Sequence, residues 1–317
     1  MIQFFLVFVA PTCPISLFSD FNIRKIITES CLNIDKCRFF DFSSNGNGGV
    51  ICCESSSFSG FIHSSSFSNC KCLSNNGGAV YFANAKGNFS IENSCATSCA
   101  AIFGQFFLVS QQNSYKTLLQ CSMSLCSPLN DGTRAFASYF IYGSQSVTSL
   151  NSSYNKDNMY VSFFEMRRCS SGNYLFCLAT NGQGDASVSI GDQSINAEMR
   201  DCIILNNTYT NSHGYGIIYG NIESGTYNIR DCIIYGNTGT LFVAYTQKIA
   251  LYSCYIDKFS KSGTVVIDAS CFTETIQQTP QMTFLDIQIC IRGYETKIIR
   301  KQCIMYLLGH VILVSTF

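Results

Sequence analysis

The chain has 317 residues, enough for one large domain or two. Only 13% of them are charged, 47% are hydrophobic, and 26 Phe and 17 Tyr are present, which excludes wholesale disorder. Twenty Lys plus Arg balance twenty Asp plus Glu, so no net charge draws the chain toward nucleic acid or an anionic lipid surface. Four Pro and 23 Gly, beside abundant Ser and Asn, suit many short strands joined by tight turns.

In chain order, residues 1–20 open with the apolar run Met1 to Ala10, of signal-peptide length but without a basic start. This segment is read as a secretory leader cleaved after Thr12 or Cys13, or else as a strand capping the N-terminal end of the core. Residues 21–300 are predicted to form an all-β, single-stranded parallel β-helix of roughly ten coils. No stretch carries a sustained 3.6-residue period, so little helix is expected. Residues 301–317 are apolar from Ile304 onward and are read as a last strand or cap. Those fourteen residues, apolar except for His310, Ser315 and Thr316, fall short of the ~20 that span a bilayer, and a truncated membrane anchor is the second reading of that segment.

The repeat carries this prediction. Met199-Arg-Asp-Cys202-Ile-Ile-Leu-Asn-Asn207 and Ile229-Arg-Asp-Cys232-Ile-Ile-Tyr-Gly-Asn237 share the frame Cys-x-Ile-x-x-Asn at a period of 30 residues. A period of 20–50 residues marks a solenoid, whose units bury their apolar faces only against neighbours. The same frame is read in Cys70-Lys-Cys72-Leu-Ser-Asn75, followed by Gly77-Gly78. Cys37, Cys70, Cys99, Cys121, Cys169, Cys202, Cys232, Cys254 and Cys290 are taken as one phase, with a coil lacking cysteine around 132–149.

Residues two apart in a strand face the same way, so Cys and Ile are assigned to the core. Asn207 and Asn237 fall at the turn, where Asn tolerates left-handed angles and stacked amides can satisfy one another. Stacked strands lie about 4.8 Å apart, whereas a disulfide wants Cβ atoms near 3.8 Å. Ladder cysteines are therefore expected as buried thiols. Bridges are expected off the ladder, in Cys95 with Cys99, or Cys31 with Cys52 or Cys53.

Phe42-Ser-Ser-Asn45 with Gly48-Gly49-Val50, and Asn75-Asn-Gly77-Gly78-Ala79-Val80-Tyr81, resemble the FxxN and GGA(I/V/L) motifs of polymorphic outer membrane protein repeats. Such repeats occur in chlamydial adhesins and in cysteine-rich surface proteins of trichomonad protists. The paired motifs cover about 31–103, and only the cysteine frame extends further. The second motif departs from the pattern, with Cys72 where Phe would stand. The resemblance implies a right-handed coil, an extracellular or cell-surface location and a role in adhesion.

Candidate chemistry is sparse. No Cys-x-x-Cys pair stands at zinc spacing, and neither a metal nor a cofactor is expected. A carbohydrate-active enzyme of the pectate lyase or polygalacturonase type needs several carboxylates in one cleft. The sequence offers only Ser212-His213-Gly214, with Asp185 and Asp192 in a Gly-rich loop. His63, seven residues before Cys70, is a weak partner for an activated thiol. Arg200-Asp201 and Arg230-Asp231 read as a solvated ion-pair ladder. The middle-third tyrosines (Tyr139, Tyr142, Tyr154, Tyr160, Tyr174, Tyr209, Tyr215, Tyr219) are expected mostly inward. The expected function is non-enzymatic adhesion or interaction with glycan or protein surface ligands and not with nucleic acid. The carbohydrate-active enzyme is the alternative.

Overall fold

The computed structural model describes residues 15–17, 25–27, 31–54, 59–129, 136–157, 161–193, 197–209, 214–222 and 225–273. The segments 1–14 and 274–317 lie outside them, as do Tyr160, His213, Cys290 and the apolar C-terminal run. Among the described residues there are strands and turns and no α-helix, and the strand pairings are parallel. The chain is a parallel β-solenoid. A 19-stranded sheet takes two strands from most coils, a nine-stranded sheet takes one, and a four-stranded and a two-stranded sheet complete the wall.

About seven turns are complete, fewer than the roughly ten expected. They run from the coil holding Ile51–Cys53, Ser59–His63 and Ser66–Ser68 to the one holding Ile218–Ile222, Thr226–Arg230 and Ile233–Tyr235. The excess arose at the two ends, where the described strands make only partial turns.

The alternation that predicted strands also builds the core. Ile34, Ile62, Ile91, Leu118, Val147, Tyr174, Met199, Ile229 and Leu251 stack in register on successive coils, all fully buried. Aromatic residues meet face to face or edge to face at the strand spacing. Phe39 and Phe67 stack at 4.9 Å, and Phe107, Phe140 and Phe164 follow at 5.1 Å intervals. Backbone groups of this wall pair with the coil above or below, or with buried side chains, which is how so apolar an interior is reconciled with buried amides.

A sharp corner precedes each strand of the nine-stranded sheet and a second follows all but the last, Tyr255–Ile256, and a left-handed residue makes each one. At the first corner these are Lys36, Ser64, Asn93, Gln120, Ser149, Phe176, Asp201, Asp231 and Ser253, with φ between 47° and 54°. At the second they are Asp41, Asn69, Ser98, Leu125, Tyr154, Asn181 and Asn206, then Gly236. A left-handed non-Gly residue costs roughly 1 kcal/mol or more. Inter-coil bonds hold it there, such as Ser64 N–H to Glu92 O and Asp201 N–H to Arg230 O, at 3.0 and 3.1 Å. The left-handed residue thus precedes Asn207 and Asn237, and those asparagines do not themselves adopt the positive angle.

The single cysteine phase does not survive. Cys37, Ser65, Ser94, Cys121, Leu150, Cys177, Cys202, Cys232 and Cys254 line the first corner. Cys70, Cys99 and Cys126 line the second, in register with Phe42. Cys169 sits at neither, because Ser170 beside it bonds to Gly143. The coil between Cys121 and Cys177 fills its corner with Leu150. Cys70 therefore corresponds to Asn207, not to Cys202, and it stands where the first motif has Phe42.

Candidate functional site: a polar groove on the outer wall

The repeat positions serve the scaffold. Asn207 and Asn237 are buried at the second corner. Asn237 Oδ1 accepts the Asn207 N–H at 2.9 Å, and Asn207 Oδ1 accepts the Gly182 N–H at 2.9 Å. Asn155 does the same for Cys126 N–H at 2.9 Å.

At the first corner each thiol points back to its own strand. Cys202 Sγ lies 3.2 Å from Arg200 O and Cys232 Sγ 3.1 Å from Arg230 O. Ser65 and Ser94 hydroxyls reproduce this bond to His63 O and Glu92 O at 2.8 Å each, so Ser and Cys are equivalent here. Burial pushes the Cys202 and Cys232 thiols well above their ordinary range.

Cys99, Cys52 and Cys53 take no part in a disulfide, which overturns the proposed bridges. Cys31 and Cys95 are instead disulfide-bonded. Asn75 is at the surface, its Nδ2 donating to Asn45 O at 2.9 Å. Gly77 is left-handed at 71°, and a Cβ on Gly78 would come within 1.9 Å of Gln105 O. Gly77 makes the tight turn into its own strand, and Gly78 is what lets the next coil approach.

On the outside of the wall the chain brings other groups together. Strands Cys31–Asp35, Ser59–His63, Phe89–Glu92 and Tyr115–Leu119 lie side by side in register. Outward residues form columns: Asn33, Phe61, Ser90, Thr117, and beside them Asp35, His63, Glu92, Leu119. Ser90 and Thr117 are short, whereas Phe61, Tyr115, His63 and Glu92 stand tall around them. The difference in height leaves a groove of about 280 Å³, which Asn33, Asp35 and Asn88 also line.

His63 Nδ1 donates to Asp35 Oδ1 at 2.8 Å, and its Nε2 lies 3.1 Å from Asn93 Nδ2. The hydrogen bond to Asp35 holds the imidazole above its ordinary value despite partial burial. Burial pushes the Asp35 carboxyl up, but the His63 bond and the Lys36 charge outweigh it and hold it below the usual range. Across the floor Thr117 Oγ1 donates to Ser90 Oγ at 2.9 Å, and Ser90 donates to Glu92 Oε1 at 2.8 Å. The groove offers carboxylate and hydroxyl acceptors, the Asn33 and Asn88 amides, and two aromatic walls.

The pairing of His63 with a thiol is not found: Cys70 lies inside the wall, its Sγ near Phe39 O and Ser68 O. The clue to the groove was the spacing of Asp35, His63 and Glu92, each one coil from the next. It became readable only once the register was known. Asp185 is buried at the bend between the strands Gln183–Gly184 and Ala186–Gln193, and Asp192 lies within the second of these rather than in a loop. Asp201 and Asp231 occupy left-handed corners. Arg200 Nε meets Asp201 Oδ2 at 3.4 Å, and Arg230 lies 4.2 Å over the Tyr252 ring. Tyr139, Tyr174 and Tyr209 are buried, Tyr154 is exposed, and Tyr142, Tyr215 and Tyr219 are half-buried. Among the described residues no group of three His, Cys, Asp or Glu is placed to hold a metal ion.

These features define the class as a cysteine-rich parallel β-solenoid with a polar groove on its outer wall. The chain matches no protein-family profile, no curated protein and no solved structure.

Proposed function

We propose that the chain is a non-enzymatic scaffold of the cell surface or extracellular space that recognises partners through its outer wall. The reading is that of a right-handed coil akin to polymorphic outer membrane protein repeats, as in trichomonad surface proteins, with a role in adhesion. The observation that carries it is the division of labour in the coil. Inward positions are spent on stacking, while outward positions over the first four coils assemble a groove of mixed donors, acceptors and aromatics. Solenoids present such long faces to extended ligands. Right-handedness is supported by the strong preference of parallel crossovers for that hand.

A carbohydrate-active enzyme would call for three or more carboxylates converging in one groove. The groove holds two, Asp35 and Glu92. The test is protease shaving of intact cells that express a tagged full-length chain. The surface reading expects the tag to be lost without lysis, and protection of the tag contradicts it.

A further inference from the structure

We propose that the groove between Phe61 and Tyr115 is a subsite for one uncharged pyranose ring of a glycan chain. This inference rests on the reading of the outer wall as a recognition surface.

Four observations point to that chemistry. First, the groove is small. About 280 Å³ lies near the lower edge of the ~300–1,000 Å³ typical of small-ligand sites, which suits a single sugar ring better than a folded peptide. Second, its walls are aromatic and its floor is polar. Phe61 and Tyr115 stand two coils apart and two residues apart along the strand direction, roughly 12 Å between Cα positions at the ordinary spacings, which leaves a slot in which a flat ring can lie against an aromatic face. Tyr115 is 62% exposed, so its ring is available to a ligand.

Third, the polar groups are of both kinds. A sugar hydroxyl donates and accepts at once, and the groove answers with the Asp35 and Glu92 carboxylates, the Asn33 and Asn88 amides and the Ser90 and Thr117 hydroxyls. The Thr117-to-Ser90-to-Glu92 chain, at 2.9 and 2.8 Å, fixes the direction of the floor before any ligand arrives. Such preorganisation reduces the ordering cost of binding. Fourth, charge selects against the alternatives. Two carboxylates disfavour sialylated, sulfated or phosphorylated ligands. A cationic side chain would use the acceptors but would leave the Asn33 and Asn88 amide donors unanswered, and it would face Lys36, whose Nζ lies 3.6 Å from Asp35 Oδ2.

The floor column continues beyond the groove as Ser146 and Asn173, in register on the next coils. A chain of sugars bound at the groove would run along the solenoid axis over these small polar residues.

The test is calorimetric titration and saturation-transfer NMR of the full chain. The probes are neutral trisaccharides of glucose, galactose, mannose, xylose and N-acetylglucosamine. A sialylated trisaccharide and a tri-lysine peptide are run alongside. The expected result is saturable binding of at least one neutral trisaccharide. Tyr115→Ala and Glu92→Gln should each weaken it tenfold or more, while Tyr154→Ala, an exposed tyrosine elsewhere, leaves it unchanged.

Binding to none of the neutral sugars, binding that survives both substitutions, or a preference for the sialylated sugar or tri-lysine overturns the proposal. Circular dichroism of both variants separates loss of a contact from loss of fold. Phe61→Ala provides a third variant should Tyr115→Ala unfold. A chain shaved from cells that binds none of these sugars overturns the subsite and leaves the surface reading standing. A chain that binds them yet is protected supports the subsite and overturns the surface reading.

Discussion

Asn237 clamps the coil before it. Its Oδ1 accepts both the backbone N–H and the side-chain Nδ2 of Asn207, at 2.9 and 3.1 Å, while its own Nδ2 donates to Ile204 O at 2.8 Å. Asn207 in turn donates to Ala179 O at 3.0 Å and accepts from Gly182 N–H at 2.9 Å. Two asparagines thereby close the second corner over three successive coils, in a place where no water reaches.

Removing either side chain leaves a buried backbone N–H and a carbonyl without their bonds. Asn237→Ala and Asn207→Ala should each destabilise the fold by about 1–3 kcal/mol in urea unfolding. Because the two share bonds, the double variant should lose less than the sum. Additive losses would show that the amides act independently.

Gly78 tests the close approach of coils. An added Cβ would lie 1.9 Å from Gln105 O and 2.8 Å from Ala100 O, both backbone atoms that cannot yield. Gly78→Ala should prevent folding or cost more than ~3 kcal/mol, beyond the usual range for a single substitution. Gly214→Ala, left-handed at 78° but with nothing within 4 Å, should cost only about 1 kcal/mol. The two are compared by thermal unfolding.

The corner thiols should be chemically silent. Cys177, Cys202, Cys232 and Cys254 are buried and free, and burial pushes the first three well above the ordinary thiol range. Iodoacetamide at pH 8 should leave these four unmodified in the native chain and alkylate them in urea, read by mass spectrometry. Rapid native labelling of Cys202 or Cys232 would contradict the inward assignment.

The Asp35–His63 pair predicts a pH window. His63 sits above its ordinary 6.5, so its contribution is complete below that value and fades as pH rises through the folded pKa. Asp35 sits below 3.8, so its contribution is present above that value and fades as pH falls through the folded pKa. Both act together between about pH 3.8 and 6.5. The pair is half-exposed, so the effect should stay under ~1 kcal/mol. NMR titration of the His63 ring should give a midpoint above 6.5 that drops in Asp35→Asn.

Lys116 is wholly buried, and burial pulls its ammonium down to about 7. Its Nζ donates to Gln111 O, Ser114 Oγ and Tyr142 O at 2.6, 2.8 and 2.8 Å. The unfolded chain holds this proton up to the ordinary 10.5, so stability from this group should rise between about pH 7 and 10.5. Lys116→Met should abolish that rise and, by removing three buried hydrogen bonds, cost about 1–3 kcal/mol at pH 7. Urea midpoints across the pH range check both.

Stacking was legible in the sequence because it repeats. The doubled Cys-x-Ile-x-x-Asn segment announced parallel coils, and alternation placed Ile204 and Ile234 inward. The register of the other cysteines was not legible. Two corners per coil each accept a small buried side chain, so Cys70 and Cys202 look alike as letters while standing on different edges. Ser65, Ser94 and Leu150 fill first-corner places without being cysteine, which stretched the apparent gaps. The groove was hidden for a related reason: Asp35, His63 and Glu92 are neighbours only across coils, far apart in the chain.

The central claim is that successive coils stack along an axis, each giving one strand to the nine-stranded sheet. Phe40 and Tyr235 are exposed on the nine-stranded sheet and share one column, linked through Ser68, Thr97, Ser124, Ser153, Thr180 and Leu205. Spin labels on genetically encoded keto residues at these two positions, which spare the thiols, report their separation by pulsed EPR. Seven strand spacings predict a single narrow distance of roughly 34 Å, plus label length. A distance below roughly 25 Å, or a broad distribution, would contradict stacking in this register.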